Sequence, residues 1–97
     1  MSKGYWVVRV SVKNADNYPA YLAAAKPAFE KFKARFLVRG GKYTAPEGTP
    51  RDRNVVVEFQ DYDTALACYQ SPEYQRARDI RMANAETDFL IVEGGRG

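Results

Sequence analysis

The chain has 97 residues, 45% of them hydrophobic and 28% charged, which is typical of one globular domain and excludes an intrinsically disordered segment. Its 15 basic and 12 acidic residues give a net charge of +3 and are interleaved, so no clustered basic face for nucleic acid is present. Histidine is absent and cysteine occurs once, which excludes His-based catalysis, His haem ligation, an internal disulfide and nearly all zinc sites.

The first predicted element is a strand over residues 5–12, where β-branched and aromatic residues alternate between two faces. One face carries Trp6 with three valines, and the other carries Tyr5 and Arg9. A helix follows, with N-cap candidates before it and apolar residues at helical spacing along it. Pro27 has no N–H to donate to the preceding turn, so we expect a kink or a short break there.

Three further strands are predicted over residues 35–39, 53–59 and 88–93. The pair Gly40–Gly41 after the second strand predicts a bulge or a close approach of another backbone. Residues 44–50 contain two prolines and a glycine, which is typical of a loop.

A second helical region lies between the third and fourth strands. Asp61 is placed to cap its first part. Ser71, Pro72 and Glu73 then form a new helix start, because serine favours the N-cap, proline the first position and glutamate the first turn. The pattern predicts two consecutive helices, the second ending near Ala85.

The order β-α-β-β-α-β predicts a single α+β domain over residues 1–97, of the ferredoxin-like kind. Right-handed crossovers place the strands in the order 4-1-3-2, with the helices on one face of an antiparallel sheet. The uncovered face then mixes apolar and charged side chains: Tyr5, Val7, Arg9, Ser11, Arg35, Leu37, Arg39, Asn54, Val56 and Glu58. Since such a mixture suits neither a plain core nor a fully solvated surface, we expect two copies to pack sheet to sheet as a homodimer.

Six segments carry a resemblance that spans nearly the whole chain: 4–6, 35–41, 47–49, 53–59, 68–74 and 91–94. Together they resemble the family named domain of unknown function 1330, within the dimeric α/β-barrel superfamily. The resemblance implies a ferredoxin-like fold and sheet-to-sheet dimers, but no established reaction and no agreed catalytic residues. Better-known members of the superfamily include cofactor-independent monooxygenases, lactone isomerases and haem-degrading enzymes. Those that rely on histidine cannot lend their mechanism to this chain.

Candidate site residues come from the uncovered face. Arg39 and Glu58 are equidistant from the middle of the hairpin loop, so a simple antiparallel register places them opposite one another. Arg9 on the first strand would flank Glu58, and Tyr5 and Asn54 would add hydrogen bonds. Such a row suits a ligand carboxylate or enolate, with Glu58 as the one candidate base. Alternatively, the row fixes the strand register or the dimer.

The remaining expectations are mostly exclusions. Cys68 lacks a histidine partner and is predicted to be a buried, unreactive side chain. A carboxylate at the centre of the third strand repels phosphate, so RNA binding is not expected. No metal or other cofactor, signal peptide or membrane segment is predicted, and we expect a cytoplasmic location. Two functions remain open: binding or transforming a small anionic or aromatic molecule between the sheets, and a non-catalytic dimeric scaffold or interaction module.

Overall fold

Buried and accessible residues alternate along the strands, and this alternation defines the two faces of the sheet. The structure is a computed structural model that describes residues 2–95. The strands are β1 (Gly4–Val12), β2 (Arg35–Arg39), β3 (Arg53–Phe59) and β4 (Ala85–Glu93). The helices are α1 (Tyr18–Lys31), α2 (Tyr62–Gln70) and α3 (Pro72–Asn84). The sheet order is β2-β3-β1-β4 with every neighbouring pair antiparallel, which confirms the predicted topology.

The core lies between the sheet and the helices. Trp6 is 1% exposed and stacks at an angle against five aromatic rings, contributed by all three helices and by β3 and β4. Its indole N–H donates a hydrogen bond of 2.9 Å to the carbonyl of Ala65 on α2. A large apolar ring with one satisfied polar atom therefore joins the two layers.

The helix boundaries follow their capping residues. The Asp61 carboxylate accepts a hydrogen bond from the Thr64 N–H, and the Ser71 hydroxyl accepts one from the Tyr74 N–H. The predicted division into α2 and α3 at Ser71 is confirmed. Of the kink or short break predicted at Pro27, the break does not occur, because α1 continues through that residue as one helix. The fourth strand begins at Ala85, three residues earlier than predicted, directly after α3.

Among residues 2–95, no helix has both the length and the hydrophobicity that spanning a bilayer requires.

Gly4 lies against the backbone at the start of the second helical region. A Cβ atom at this position would be 2.2 Å from the carbonyl oxygen of Asp61. We expect Gly4→Ala to lower the free energy of unfolding by at least about 2 kcal/mol, because backbone has to move to relieve the clash. Urea unfolding measures this, with Gly41→Ala as the control, since a Cβ there meets no atom within 4 Å. Equal stability of the two variants would contradict this packing.

Candidate functional site

On the uncovered face of the sheet, Glu58 lies in a row with Tyr5 and Arg35 of the two neighbouring strands. Tyr5 lies opposite Glu58 on β1, and its hydroxyl donates a hydrogen bond of 3.3 Å to the Glu58 carboxylate. Arg35 lies opposite on β2, with 4.0 Å between its guanidinium and the carboxylate. Loss of solvent contact, followed by the Glu58 charge, raises the pKa of Tyr5. The carboxylate thus has a cation and a hydroxyl beside it.

The predicted pairing of Arg39 with Glu58 is wrong. The register between β2 and β3 shifts between Phe36 and Val38, so Leu37 is an extra residue in the strand. Every residue after the shift changes face, because side chains alternate with a period of two. Arg39 therefore lies opposite Val55 on the helix side, with its guanidinium carbon 4.2 Å from the centre of the Phe36 ring.

The predicted position of Arg9 beside Glu58 is also wrong. Arg9 pairs with Asn54 on β3 and with Asp88 on β4, four residues further along β1 than Tyr5. It donates to the Thr49 carbonyl and lies 3.9 Å from the Asp88 carboxylate. Arg51 donates to the same carboxylate at 2.8 Å. The charges at this end of the sheet therefore compensate one another.

An apolar row crosses the same face between these two polar groups. Four residues occupy neighbouring register positions on the four strands: Val38, Val56, Val7 and Leu90. Leu90 is 52% exposed and Val38 is 44% exposed. An apolar centre with paired charges at the margins resembles the apolar core and polar rim of protein–protein interfaces.

A groove of about 610 Å³ runs on the opposite side of the sheet, between α1 and β2. It exists because β2 is a short edge strand whose outer part is not covered by a helix. Its apolar lining comes from Leu22, Phe29 and Phe36. The polar residues at the groove are three cations and one carboxylate: Lys26, Lys33, Arg39 and Glu30.

The groove adjoins a smaller cavity of about 30 Å³ inside the core. Leu22, Phe29 and Phe36 line both spaces, and Trp6 lines the inner one. The inner cavity also contacts Tyr21, whose hydroxyl shares a hydrogen bond of 2.8 Å with the hydroxyl of Tyr74. Burial and then the neighbouring Tyr74 raise the pKa of Tyr21 well above its usual value. Both hydroxyls therefore remain protonated at neutral pH.

Sequence reasoning missed the groove, although it named Arg39. Tyr21 on α1 and Tyr74 on α3 are both buried core residues. A groove beside an edge strand has no sequence signature, because it depends on the distance between α1 and β2. A bulge was predicted at Gly40–Gly41, whereas the extra residue is Leu37, inside β2, and it places Arg39 on the other side of the sheet from the predicted one.

Cys68 is completely buried, with its thiol 3.8 Å from the carbonyl of Ala28 on α1. Burial, with a smaller effect from Glu73, raises its pKa to about 12. Within residues 2–95, no group of three acidic or cysteine side chains is arranged to hold a metal ion.

Comparison with protein families gives one match, which covers residues 3–95 and is described as Domain of unknown function (DUF1330). The chain belongs to this family. The resemblance drawn from the six sequence segments is thereby confirmed. The DUF1330 description names no reaction, and no curated protein matches the chain.

Solved structures of the same fold come from several bacteria. A protein of unknown function from Rhodopseudomonas palustris has a TM-score of 0.78 and 15% identity, over 99% of this chain and 85% of that one. A dimeric ferredoxin-like protein of unknown function from a Jannaschia species has a TM-score of 0.70 and 15% identity, over 93% and 97%. SnoaB, a cofactor-independent oxygenase from Streptomyces nogalater, has a TM-score of 0.65 and 14% identity, over 100% and 97%. At these identities the likeness establishes the ferredoxin-like fold.

A double-mutant cycle tests the observed register of β2. We expect Arg39→Met and Glu58→Gln to couple by less than about 0.5 kcal/mol in urea unfolding, because the two side chains lie on opposite sides of the sheet. The cycle of Tyr5→Phe with Glu58→Gln is the positive control, with an expected coupling of about 0.5–1.5 kcal/mol from the hydrogen bond. A larger coupling for Arg39 than for Tyr5 would restore the simple register.

Thiol labelling tests the state of Cys68. With a pKa of about 12, almost none of the thiol is ionised at neutral pH, and its burial blocks access. We expect native protein to react with a thiol-specific disulfide reagent at least about 100-fold more slowly than the urea-unfolded protein. Rapid labelling of the native protein would show that Cys68 is exposed or activated.

Proposed function

We propose that this DUF1330 protein is a homodimer that binds a small molecule with an aromatic or apolar body and a negative charge. The groove between α1 and β2 is the proposed binding site. Any transformation of the ligand there proceeds without histidine, since the chain has none. The alternative function, a non-catalytic dimeric scaffold, requires the dimer but does not require a ligand in the groove.

The observation that carries this proposal is the lining of the groove. Phe29 and Phe36 offer aromatic faces, with their ring centroids 5.0 Å apart in a T-shaped arrangement. Arg39 lies directly over Phe36 and is not part of any ion pair within residues 2–95. Small-molecule sites typically combine such an apolar lining with a few polar groups that fix the ligand's orientation.

The uncovered sheet face supports a different role. Its central row is apolar, while Arg9, Arg51 and Glu58 already have partners in the same chain. A second copy packed on this face would bury the valines and Leu90, and the dimeric Jannaschia protein of the same fold supports the proposal of a dimer. That Tyr5, Arg9, Asn54 and Glu58 also bind a ligand between the sheets remains a prediction from sequence.

One structural relative favours chemistry in addition to binding. SnoaB has this fold over its whole length and is a cofactor-independent oxygenase. The fold is therefore compatible with a reaction that needs no bound cofactor, although fold alone does not determine function. At the groove, Glu30 is the carboxylate placed to accept a proton from a bound ligand, and the Arg39 guanidinium would stabilise the resulting anion.

The dimer has a direct test. We expect static light scattering to report twice the monomer mass at micromolar concentration, with an interface of about 1,200 Å² or more. Leu90→Glu, which places a charge in the apolar row, should give a folded monomer. Met82→Glu is the matched control, since Met82 is an exposed residue of α3 and should leave the dimer intact. A wild-type monomer, or an unaffected Leu90→Glu dimer, would contradict the proposed interface.

Ligand binding in the groove has an internal reporter. Trp6 is the single tryptophan and lines the inner cavity, so its fluorescence responds to an occupant. We expect aromatic carboxylates, phenylacetate first, to change Trp6 emission and to give a binding isotherm by calorimetry. Ala23→Phe fills the groove and should weaken binding at least about tenfold. Ala67→Phe is the control, because Ala67 is exposed on α2, away from the groove. Equal affinities in the two variants would locate the ligand elsewhere.

A further inference from the structure

A second depression in the surface, of about 540 Å³, lies where α1 ends and β2 begins. Its charged residues are four cations and one carboxylate: Lys3, Lys31, Lys33, Arg35 and Glu58. Gln60 and Thr64 add an amide and a hydroxyl group. The cations come from the end of α1 and from the starts of β1 and β2, so the fold gathers them from distant parts of the sequence. A concave surface on which cations converge favours a negatively charged ligand.

The cations of this depression outnumber the carboxylates beside them by two. Lys31 and Arg35 each have one carboxylate partner, at 3.2 Å and 4.0 Å. Lys3 and Lys33 form no ion pair with any of residues 2–95. A phosphate monoester carries a charge of about −1.5 to −2 at neutral pH, so it matches the uncompensated charge better than a single carboxylate does.

The backbone at Lys33 gives an independent reason to assign this side chain a role. Lys33 has a φ of +55° and is the one non-glycine residue with positive φ among residues 2–95. It follows the C-cap of α1, where the N–H groups of Lys33 and Ala34 donate to carbonyls of the last turn. Glycine is the usual residue at this point of such a turn, because it adopts the left-handed conformation without a steric cost. The turn therefore does not account for a lysine here.

The position of the lysines at a helix end is only part of the explanation for the cluster. Cations at the last turn of a helix interact favourably with its dipole, and Lys31 and Lys33 are placed to do so. Lys3 and Arg35 belong to the strand side of the depression and have no such role. The last carbonyls of α1 already accept hydrogen bonds, which reduces their repulsion of an anion.

The depression adjoins the groove between α1 and β2. Lys33 lines both spaces. Arg39, the cation at the groove that packs on Phe36, is the last residue of β2, whereas Lys33 lies two residues before its first. The two cations are therefore separated by the length of the strand, and a ligand lying along the groove can reach Lys33 with one end.

We infer that this depression binds the phosphoryl group of a phosphate monoester whose aromatic or apolar body lies in the groove. The inference rests on the proposed function, because the groove holds the body of the same ligand. Lys33 contacts the ligand where the two spaces meet, and Lys3 and Arg35 donate to the phosphoryl oxygens from the strand side. The substrate class is thereby narrowed from small anions to organic phosphates.

Arg81 offers no comparable site, although it also forms no ion pair within the described part of the chain. Its side chain is buried, at 3% exposure. Its guanidinium carbon lies 5.8 Å from the centre of the Tyr21 ring and 5.4 Å from that of Phe89. It lines neither the groove nor the depression, so an anion in these spaces does not meet it.

The test measures binding of benzyl phosphate, phenylacetate and inorganic phosphate by calorimetry at low ionic strength. We expect wild type to bind benzyl phosphate at least about threefold more tightly than either of the other two. Lys3→Met should weaken benzyl phosphate and inorganic phosphate about threefold or more, and phenylacetate less than about twofold, because Lys3 lines only the depression. The double variant with Lys33→Gly should lose at least about tenfold for benzyl phosphate.

Lys33→Gly also separates binding from folding. Since glycine suits a φ of +55°, its urea midpoint should equal or exceed that of wild type while benzyl phosphate binds about threefold or more weakly. Lys42→Gly is the matched control, because it exchanges an exposed lysine for glycine outside both spaces and should leave every affinity unchanged. Ala23→Phe, which fills the groove, should weaken benzyl phosphate but not inorganic phosphate.

The outcomes distinguish the two proposals. If Lys3→Met and Lys33→Gly bind benzyl phosphate like wild type while Ala23→Phe still weakens phenylacetate, the phosphoryl site is wrong and the groove proposal stands. If inorganic phosphate binds as tightly as benzyl phosphate, or Ala23→Phe leaves benzyl phosphate unaffected, the depression does not serve the ligand of the groove and the inference is wrong. If neither aromatic compound binds to wild type, both proposals fail.

Discussion

The packing around Trp6 is the constraint on which the rest of the structure depends. Its ring contacts Phe29 on α1, Tyr69 on α2, Tyr74 on α3, Phe59 on β3 and Phe89 on β4, so one side chain on the central strand touches every element except β2. The helices are thereby positioned over β1, β3 and β4, and the edge strand is left partly uncovered. The groove lies where this arrangement leaves β2 uncovered, and Phe29 belongs both to the packing around Trp6 and to the lining of the groove.

The sequence carried most of the information about the fold. The β-branched runs, the caps at Asp61 and Ser71 and the order of elements were sufficient to predict the sheet order and the layer of helices. The break considered at Pro27 was wrong, since α1 runs from Tyr18 to Lys31 without interruption. The face of each residue was predictable on β1 and β3, where alternation is unbroken. It was not predictable on β2 beyond Leu37, since a bulge depends on how two strands meet.

The candidate site was predictable from the sequence to a smaller extent than the fold. Arg81 looks like an ordinary surface charge in the sequence, because arginine is rarely buried without a partner. The spacing of Arg81 from Tyr74 and Ala77 was consistent with an inward position on α3, but spacing alone does not reveal that an ion-pair partner is absent. The ligand class proposed from the sequence, an anionic or aromatic small molecule, was thus argued from residues that mostly have other partners in the structure, and it stays a prediction.

Two connections between secondary-structure elements differ in how much sequence change they accommodate. Helix α3 ends at Asn84 and β4 begins at Ala85, with no residue between them, so an insertion there would displace α3 from the core. The segment between β2 and β3 is long, exposed and anchored chiefly through Arg51. It leaves β2 beside Arg39 and returns to β3 at Arg53, the two arginines of the groove and the inner cavity. A change in the length or composition of this segment can therefore alter the surroundings of the groove, the proposed ligand site, while the packing of α3 in the core stays unchanged.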